Sequence, residues 1–175
     1  AKGYALCVVN TGGDHGDLTD DYAAIRKEME AVAAHFGKHV LREVEPETVE
    51  SHIGELRRAC GDRAVLRALH YYDENARVLE QAAAIRGGDL PAFFDAVKRS
   101  GDSSWKLLQN IYARPTEEQM AMGIELSRRF LHGDGAQRVH GGGFAGTIQA
   151  YVPLERLADY KKLMEDAFGP GSCTA

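Results

Sequence analysis

The chain has 175 residues, of which 44% are hydrophobic, 27% charged and 8% aromatic, with a formal net charge of −5. This length and composition indicate one globular domain that buries a core without disulfides or metal ions, and they exclude a disordered protein. The acidic balance argues against nucleic-acid binding, and no apolar run approaches the roughly 20 residues that a membrane-spanning helix needs. Three isolated cysteines without a zinc-motif spacing (Cys7, Cys60, Cys173) and no secretory signal predict a reducing, cytoplasmic setting.

The first predicted elements are one strand followed by two helices. A short apolar run over residues 5–10 predicts a buried strand, and a glycine-rich loop follows it. Thr19 is placed to cap a helix whose apolar residues recur every three or four positions. An extended link over residues 40–44 then leads to a second helix, which Pro46 begins and Gly61 ends.

The longest regular pattern in the sequence comes next and predicts a helix of about five turns. Its apolar face is Val65, Leu69, Tyr72, Ala76, Leu79 and Ala83. Asp89 is expected to cap the following helix, which residues 100–104 interrupt. Thr116 and Gln119 have the spacing of a capping box at the start of another helix.

The last third of the chain changes from helical to strand patterning. Residues 137–140 and 147–152 predict two strands joined by a glycine loop, and Pro153 begins a final helix. The order of elements predicts an α+β fold with a small, mostly antiparallel sheet, helices packed on one face and a ferredoxin-like arrangement. Because both ends of the chain are β-prone, we expect the sequence to be a fragment.

The glycine loop is the sharpest local feature. Residues 141–146 match the spacing G-x-G-x-x-G, but a dinucleotide-binding loop must open a helix, and the β-branched run from Thr147 follows instead. A Rossmann site is therefore excluded. Two explanations remain at this point: a loop that lines a phosphate or nucleotide site, or a tight hairpin turn.

Three segments together resemble the GHMP small-molecule kinases, and among them the galactokinases. Residues 138–146, followed by a β-run, are similar to the third conserved motif of that family. Residues 8–22 resemble the segment that opens the C-terminal half of galactokinases, and residues 67–78 resemble their long central helix. The three segments occur in the family's order and spacing, and the resemblance covers about residues 5–170.

The resemblance implies that residues 1–175 are a single domain, the C-terminal half of a galactokinase, without the N-terminal nucleotide-binding half. It implies a parent enzyme that uses ATP and Mg²⁺ to phosphorylate the C1 hydroxyl of galactose. We assign no catalytic residue and no metal ligand to this chain, and expect it alone to be inactive and to hold no cofactor tightly. Its expected partners are the missing half and galactose or a related sugar. The alternatives are another GHMP kinase, or a non-catalytic ferredoxin-like domain that binds an effector or a partner protein.

The resemblance also implies site residues. Tyr22 matches the tyrosine whose hydroxyl hydrogen-bonds the sugar in galactokinases. Its place on an apolar helical stripe is by itself more typical of a core tyrosine, but the resemblance favours sugar contact. His140 and Ala145 differ from the Thr or Ser and the Gly that are common in the family motif. The residues expected to line the active-site cleft are Gly141, Gly142, Gly143, Phe144 and Gly146.

Overall fold

A computed structural model describes residues 3–13 and 18–175 of the chain. Its sheet has four strands, all paired antiparallel, in the order β2-β3-β1-β4. The strands are β1 (Tyr4–Asn10), β2 (Ala136–Val139), β3 (Thr147–Pro153) and β4 (Cys173–Thr174). This topology confirms the predicted α+β fold with a small antiparallel sheet.

Seven α-helices are present in the described part of the chain. They are α1 (Thr19–His35), α2 (Pro46–Ser51), α3 (Ile53–Cys60), α4 (Asp62–Gly87), α5 (Leu90–Ser103), α6 (Gln119–Leu131) and α7 (Leu157–Phe168). A π-helical segment, Ser104–Leu108, continues from α5, and short 3-10 helices cover Leu41–Glu43 and Leu154–Arg156.

The largest core lies between one face of the sheet and helices α6 and α7. Alternate residues of β1 and β3, such as Cys7, Val9 and Ile148, meet Met120 of α6 and Met164 of α7 there. A second cluster joins α1, α3 and the first half of α4. Helix α5 packs against the other face of the sheet near β2, so helices cover both faces and not one face as predicted. The alternation of buried residues along β3 reflects the two-residue period of a strand.

The apolar stripe predicted for α4 is correct only in the first half of that helix. Val65 is buried against α1 and α3, but Leu79 is 69% exposed, and the buried residues of the second half are Arg77 and Ala84. Periodicity alone predicts the stripe over the whole helix, whereas burial depends on which neighbour covers each turn of a long helix.

Five local expectations are wrong. Thr19 does not cap α1, because it is the first helical residue; the N-cap position is Leu18, without a side-chain cap hydrogen bond. The link at residues 40–44 contains a 3-10 turn, and the helix expected from Pro46 to Gly61 is divided at His52 into α2 and α3. Residues 100–104 do not interrupt α5, which runs to Ser103 and continues as a π-helix. The capping box at Thr116 is absent, since α6 begins only at Gln119. Sequence patterns weigh local propensity alone, whereas tertiary packing decides where a helix continues, divides or begins.

Candidate functional site

The glycine loop turns back into the molecule instead of closing a simple hairpin. The backbone N–H of His140 donates to the carbonyl of Thr147 at 3.0 Å, which closes the base of the loop. Gly141 and Gly142 are exposed, whereas Gly143 is buried. A tight two-residue turn, one of the two explanations that the sequence left open, therefore does not describe this loop.

Gly143 allows the closest approach in the loop. Its φ is +83°, and a Cβ at this position would overlap with the backbone oxygen of Asn110. The N–H of Phe144 donates to that same oxygen at 2.5 Å, and the side-chain Nδ2 of Asn110 donates to the carbonyl of Gly142 at 3.0 Å. Glycine is required here because no other residue leaves room for this contact.

Phe144 is held in a conformation that is rare for a large side chain. Its φ is +62°, in the left-handed region, and its side chain is only 5% exposed. The ring meets that of Tyr22 edge to face, with centroids 5.2 Å apart and an interplanar angle of 85°. An aromatic residue with positive φ persists only where its surroundings fix it, and such residues cluster at functional sites.

Tyr22 lies in the first turn of α1 and faces the loop. Its hydroxyl donates to the carbonyl oxygen of Gly143 at 2.7 Å, and a Cβ on Gly142 would lie 2.9 Å from its Cε1. The tyrosine is 36% exposed, so the ring belongs neither to the core nor fully to solvent. Because its single proton is used by Gly143, the hydroxyl can meet a further ligand only as an acceptor.

The end of β1 forms the neighbouring edge of the site. Thr11 bonds the carbonyl of Gly146 twice, through its N–H at 2.7 Å and its Oγ1 at 2.9 Å, and the N–H of Gly146 donates to Gly12 at 3.1 Å. Gly13 lies close to Ala145, since a Cβ on Gly13 would lie 3.1 Å from that of Ala145. Residues 14–17, part of the segment on which the resemblance rests, lie outside the described residues.

A polar cavity of about 310 Å³ lies beside Phe144. Arg67 of α4 lines it and is buried, with Nη1 2.8 Å from Oε2 of Glu28 and Nε donating to the carbonyl of Leu108 at 3.0 Å. Burial lowers the pKa of Arg67 from its usual value, although Glu28 opposes that shift. The cavity is also lined by Asp21, Arg63, Trp105, Lys106, Gln109 and Tyr112.

A serine–histidine pair lies apart from this cavity. Nδ1 of His70 is 2.8 Å from Oγ of Ser103, and both side chains are buried. Sequence order gave no signal for this pair, because α4 and α5 bring together residues 33 positions apart. Burial, and then the nearby charges of Arg77 and Arg138, lower the pKa of His70 to about 4. Because both side chains are buried and line no cleft among the described residues, we interpret the contact between His70 and Ser103 as structural.

The structure brings together the residues that the sequence analysis singled out. Tyr22 and the loop from Gly141 to Gly146 meet in one place, although Tyr22 and Gly143 are 121 positions apart. Sequence reasoning missed Asn110, which follows the polar Gln109 and belongs to no motif. Among the described residues, no group of three or more His, Cys, Asp or Glu side chains is arranged to hold a metal ion. Within residues 3–13 and 18–175, every helix is too short or too polar to cross a membrane.

The relatives found by comparison of amino-acid sequences are galactokinases. The chain is 30% identical over 164 residues to a galactokinase of Mannheimia succiniciproducens, which covers 94% of this chain and 41% of the relative. A galactokinase of Glaesserella parasuis is 30% identical over 167 residues, and one of Haemophilus influenzae is 30% identical over 164 residues. The chain thus spans about two fifths of the length of these relatives. No family model matches it.

A solved structure has the same fold. The crystal structure of Lactococcus lactis galactokinase complexed with galactose superposes with a TM-score of 0.75 at 17% sequence identity. The superposition covers 98% of this chain and 44% of that protein. At this level of identity, the likeness establishes the arrangement of strands and helices.

Proposed function

We propose that this chain, which matches the C-terminal part of galactokinases, belongs to a cytoplasmic sugar kinase that transfers the γ-phosphoryl group of ATP to the C1 hydroxyl of galactose. The observation that carries the proposal is 30% identity to a galactokinase across 94% of the chain. Because the match spans 41% of that relative, the proposal assigns ATP binding, Mg²⁺ and the catalytic groups to an N-terminal half of the parent.

In this proposal Tyr22 orients the sugar. Its hydroxyl gives its proton to the carbonyl of Gly143, so the lone pairs of the oxygen are available to a sugar hydroxyl that donates. The edge-to-face contact with Phe144 limits rotation of the ring. A group fixed in this way adds to the rate by positioning the substrate, which is a large part of phosphoryl-transfer catalysis.

The glycine loop forms the wall beside the transferred phosphoryl group. Gly141 and Gly142 expose their peptide groups, and among the described residues their N–H groups meet no acceptor. Free backbone N–H groups without side chains fit the oxygens of a phosphate. ATP supplies the phosphoryl group, and Mg²⁺ neutralises charge on it when bound; the proposal places the ion in the N-terminal half of the parent.

The test is an assay of the full-length parent. We expect ATP-dependent formation of galactose 1-phosphate, identified by phosphorus NMR, with little product from glucose as the control sugar. The 175-residue chain alone should form none. If the parent leaves galactose unchanged and phosphorylates a different alcohol, it is another kinase of the same fold; if it transfers no phosphoryl group at all, the proposal is wrong.

A further inference from the structure

We propose that Asn110 is a positioning residue for the sugar, which acts through the glycine loop on the hydroxyl of Tyr22. The proposal gives Asn110 no direct contact with the sugar or the phosphoryl group. It follows directly after the π-helical segment Ser104–Leu108 and Gln109, and its residue is only 2% exposed. This inference rests on the function proposed above and adds to it a residue outside the three segments that carry the resemblance.

The first step of the argument is that Asn110 and Tyr22 hold neighbouring carbonyl groups. Nδ2 of Asn110 donates to the carbonyl of Gly142 at 3.0 Å, and the hydroxyl of Tyr22 donates to the carbonyl of Gly143 at 2.7 Å. Two successive peptide groups of the loop are therefore each held by a hydrogen bond from a different side chain. Since a peptide group is planar, rotation of one of them moves the next.

The second step is that the loop is tightly packed at Gly142 and Gly143. A Cβ on Gly143 would overlap with the backbone of Asn110, and a Cβ on Gly142 would lie 2.9 Å from the ring of Tyr22. The loop is thus packed between the two residues. Because this packing leaves no free volume, a movement of Asn110 displaces Gly142 and Gly143 and with them the hydroxyl of Tyr22.

The third step concerns the other atom of the same amide. Oδ1 of Asn110 is buried and has no hydrogen-bond partner in the described part of the chain. An unpaired buried acceptor is unfavourable, and an apolar side chain of similar size would avoid it. An amide at this position is therefore explained by its donor, which the carbonyl of Gly142 requires.

The backbone before Asn110 sets the direction of this side chain. The carbonyl of Ser104 accepts from the N–H groups of Gln109 at 2.8 Å and of Asn110 at 3.4 Å, and Gln109 has a φ of +59°. The π-helix thus ends in a left-handed residue that turns the chain toward the loop. Single π-helical turns occur frequently at functional sites.

The experiment is a double-mutant cycle in the full-length parent, with Asn110→Ala and Tyr22→Phe made singly and together. We expect Asn110→Ala to raise the KM for galactose about fivefold or more, because a displaced loop turns the hydroxyl of Tyr22 away from the sugar. The KM for ATP should change less than about twofold, because the proposal places the ATP site in the N-terminal half of the parent. In the Tyr22→Phe background the same substitution should no longer raise the KM for galactose.

The matched control is Ser127→Ala, which removes another fully buried polar group. Oγ of Ser127 donates to the carbonyl of Gly123 at 2.7 Å and lies 2.8 Å from the hydroxyl of Tyr160, within the core of α6 and α7. It should lower the melting temperature about as much as Asn110→Ala and leave both KM values unchanged. If Asn110→Ala does not fold, Asn110→Ser replaces it in the cycle, since it also removes the amide donor.

The outcomes separate the two proposals. A wild-type parent that does not phosphorylate galactose overturns the proposed function, and the role of Asn110 with it. An active parent in which Asn110→Ala leaves the galactose KM unchanged, or raises it by the same factor with and without Tyr22, overturns the role of Asn110 alone. Loss of the effect in the Tyr22→Phe background supports it.

Discussion

At the scale of single residues, the hydroxyl of Tyr22 distinguishes a binding residue from a core residue. We expect Tyr22→Phe in the full-length parent to weaken galactose binding by about 0.5–1.5 kcal/mol, the net worth of one neutral hydrogen bond. The galactose KM, measured at saturating ATP, should rise accordingly. Tyr71→Phe on α4 is the control, because Tyr71 lies away from the loop, beside Val40 and Leu41. An unchanged KM in Tyr22→Phe would remove this tyrosine from the site.

Two glycines of the same loop predict different costs. Gly143→Ala combines a positive φ with overlap against the backbone of Asn110, whereas Gly141→Ala has a φ of +73° and meets nothing within 4 Å. Left-handed strain alone costs about 1–2 kcal/mol, so Gly141→Ala should lose that amount. Gly143→Ala should lose at least about 1 kcal/mol more, as measured by urea unfolding. Equal losses would show that the close contact with Asn110 does not form.

At the scale of elements, the cap of α5 is a specific test of the helix boundaries. The side chain of Asp89 accepts from the N–H of Ala92 at 3.0 Å, as the sequence predicted. Asp89→Ala should therefore lower the free energy of unfolding by about 1 kcal/mol. Thr116→Ala should change it by less than about 0.5 kcal/mol, since Thr116 lies before α6 and caps nothing there. Urea denaturation of both variants measures the contrast, and a larger loss at Thr116 would contradict it.

The elements that the sequence predicted best are those with strong local signals. The apolar run of β1, the cap at Asp89 and the strand pair around the glycine loop all agree with the structure. The break expected at residues 100–104 is wrong because serine and glycine only weaken a helix, and contacts of α5 with α4 and β2 offset that loss. Local propensity cannot weigh such contacts.

The candidate site was predictable only in part, for a related reason. Tyr22 and the glycine loop carry motif residues that a resemblance can detect in the sequence. Asn110 has no such motif, and its position against the loop depends on a π-helix that no hydrophobic period indicates. The left-handed φ of Phe144 was also unpredictable, because a phenylalanine is among the residues least suited to it.

At the scale of the whole molecule, a partly buried polar network joins α4, α5 and the sheet. Glu74 of α4 is paired with Arg77 and accepts from Ser100 of α5 at 2.6 Å, and Arg138 of β2 donates to the hydroxyl of Ser100. His70 lies close to these two arginines, whose charges contribute to the lowered pKa of its ring. Stability of the whole chain should therefore depend on pH through this histidine.

The direction of that dependence follows from the pKa. His70 is held neutral in the folded chain, with a pKa of about 4, whereas the unfolded chain takes up the proton near the usual pKa of 6.5. Its contribution is therefore fully present above pH 6.5 and is lost as the pH falls toward 4, by on the order of 3 kcal/mol in total.

The test is urea unfolding at a series of pH values between 7 and 4.5. His70→Gln, which does not titrate, is the comparison variant and should show a flatter dependence over this range. Parallel curves for the two proteins would mean that His70 does not control the change.

The central strand pair has a consequence for how the chain reaches its folded state. Thr11, at the end of β1, bonds to Gly146, at the start of β3, across 135 positions of sequence. Contacts among α1, α3 and α4 are far more local, so this helical region can form while the ribosome is still adding the last third of the chain. Tyr22 and the glycine loop then meet only when β3 joins β1. A nascent chain halted before residue 147 would already contain the glycine loop, but not the strand that holds it beside Tyr22.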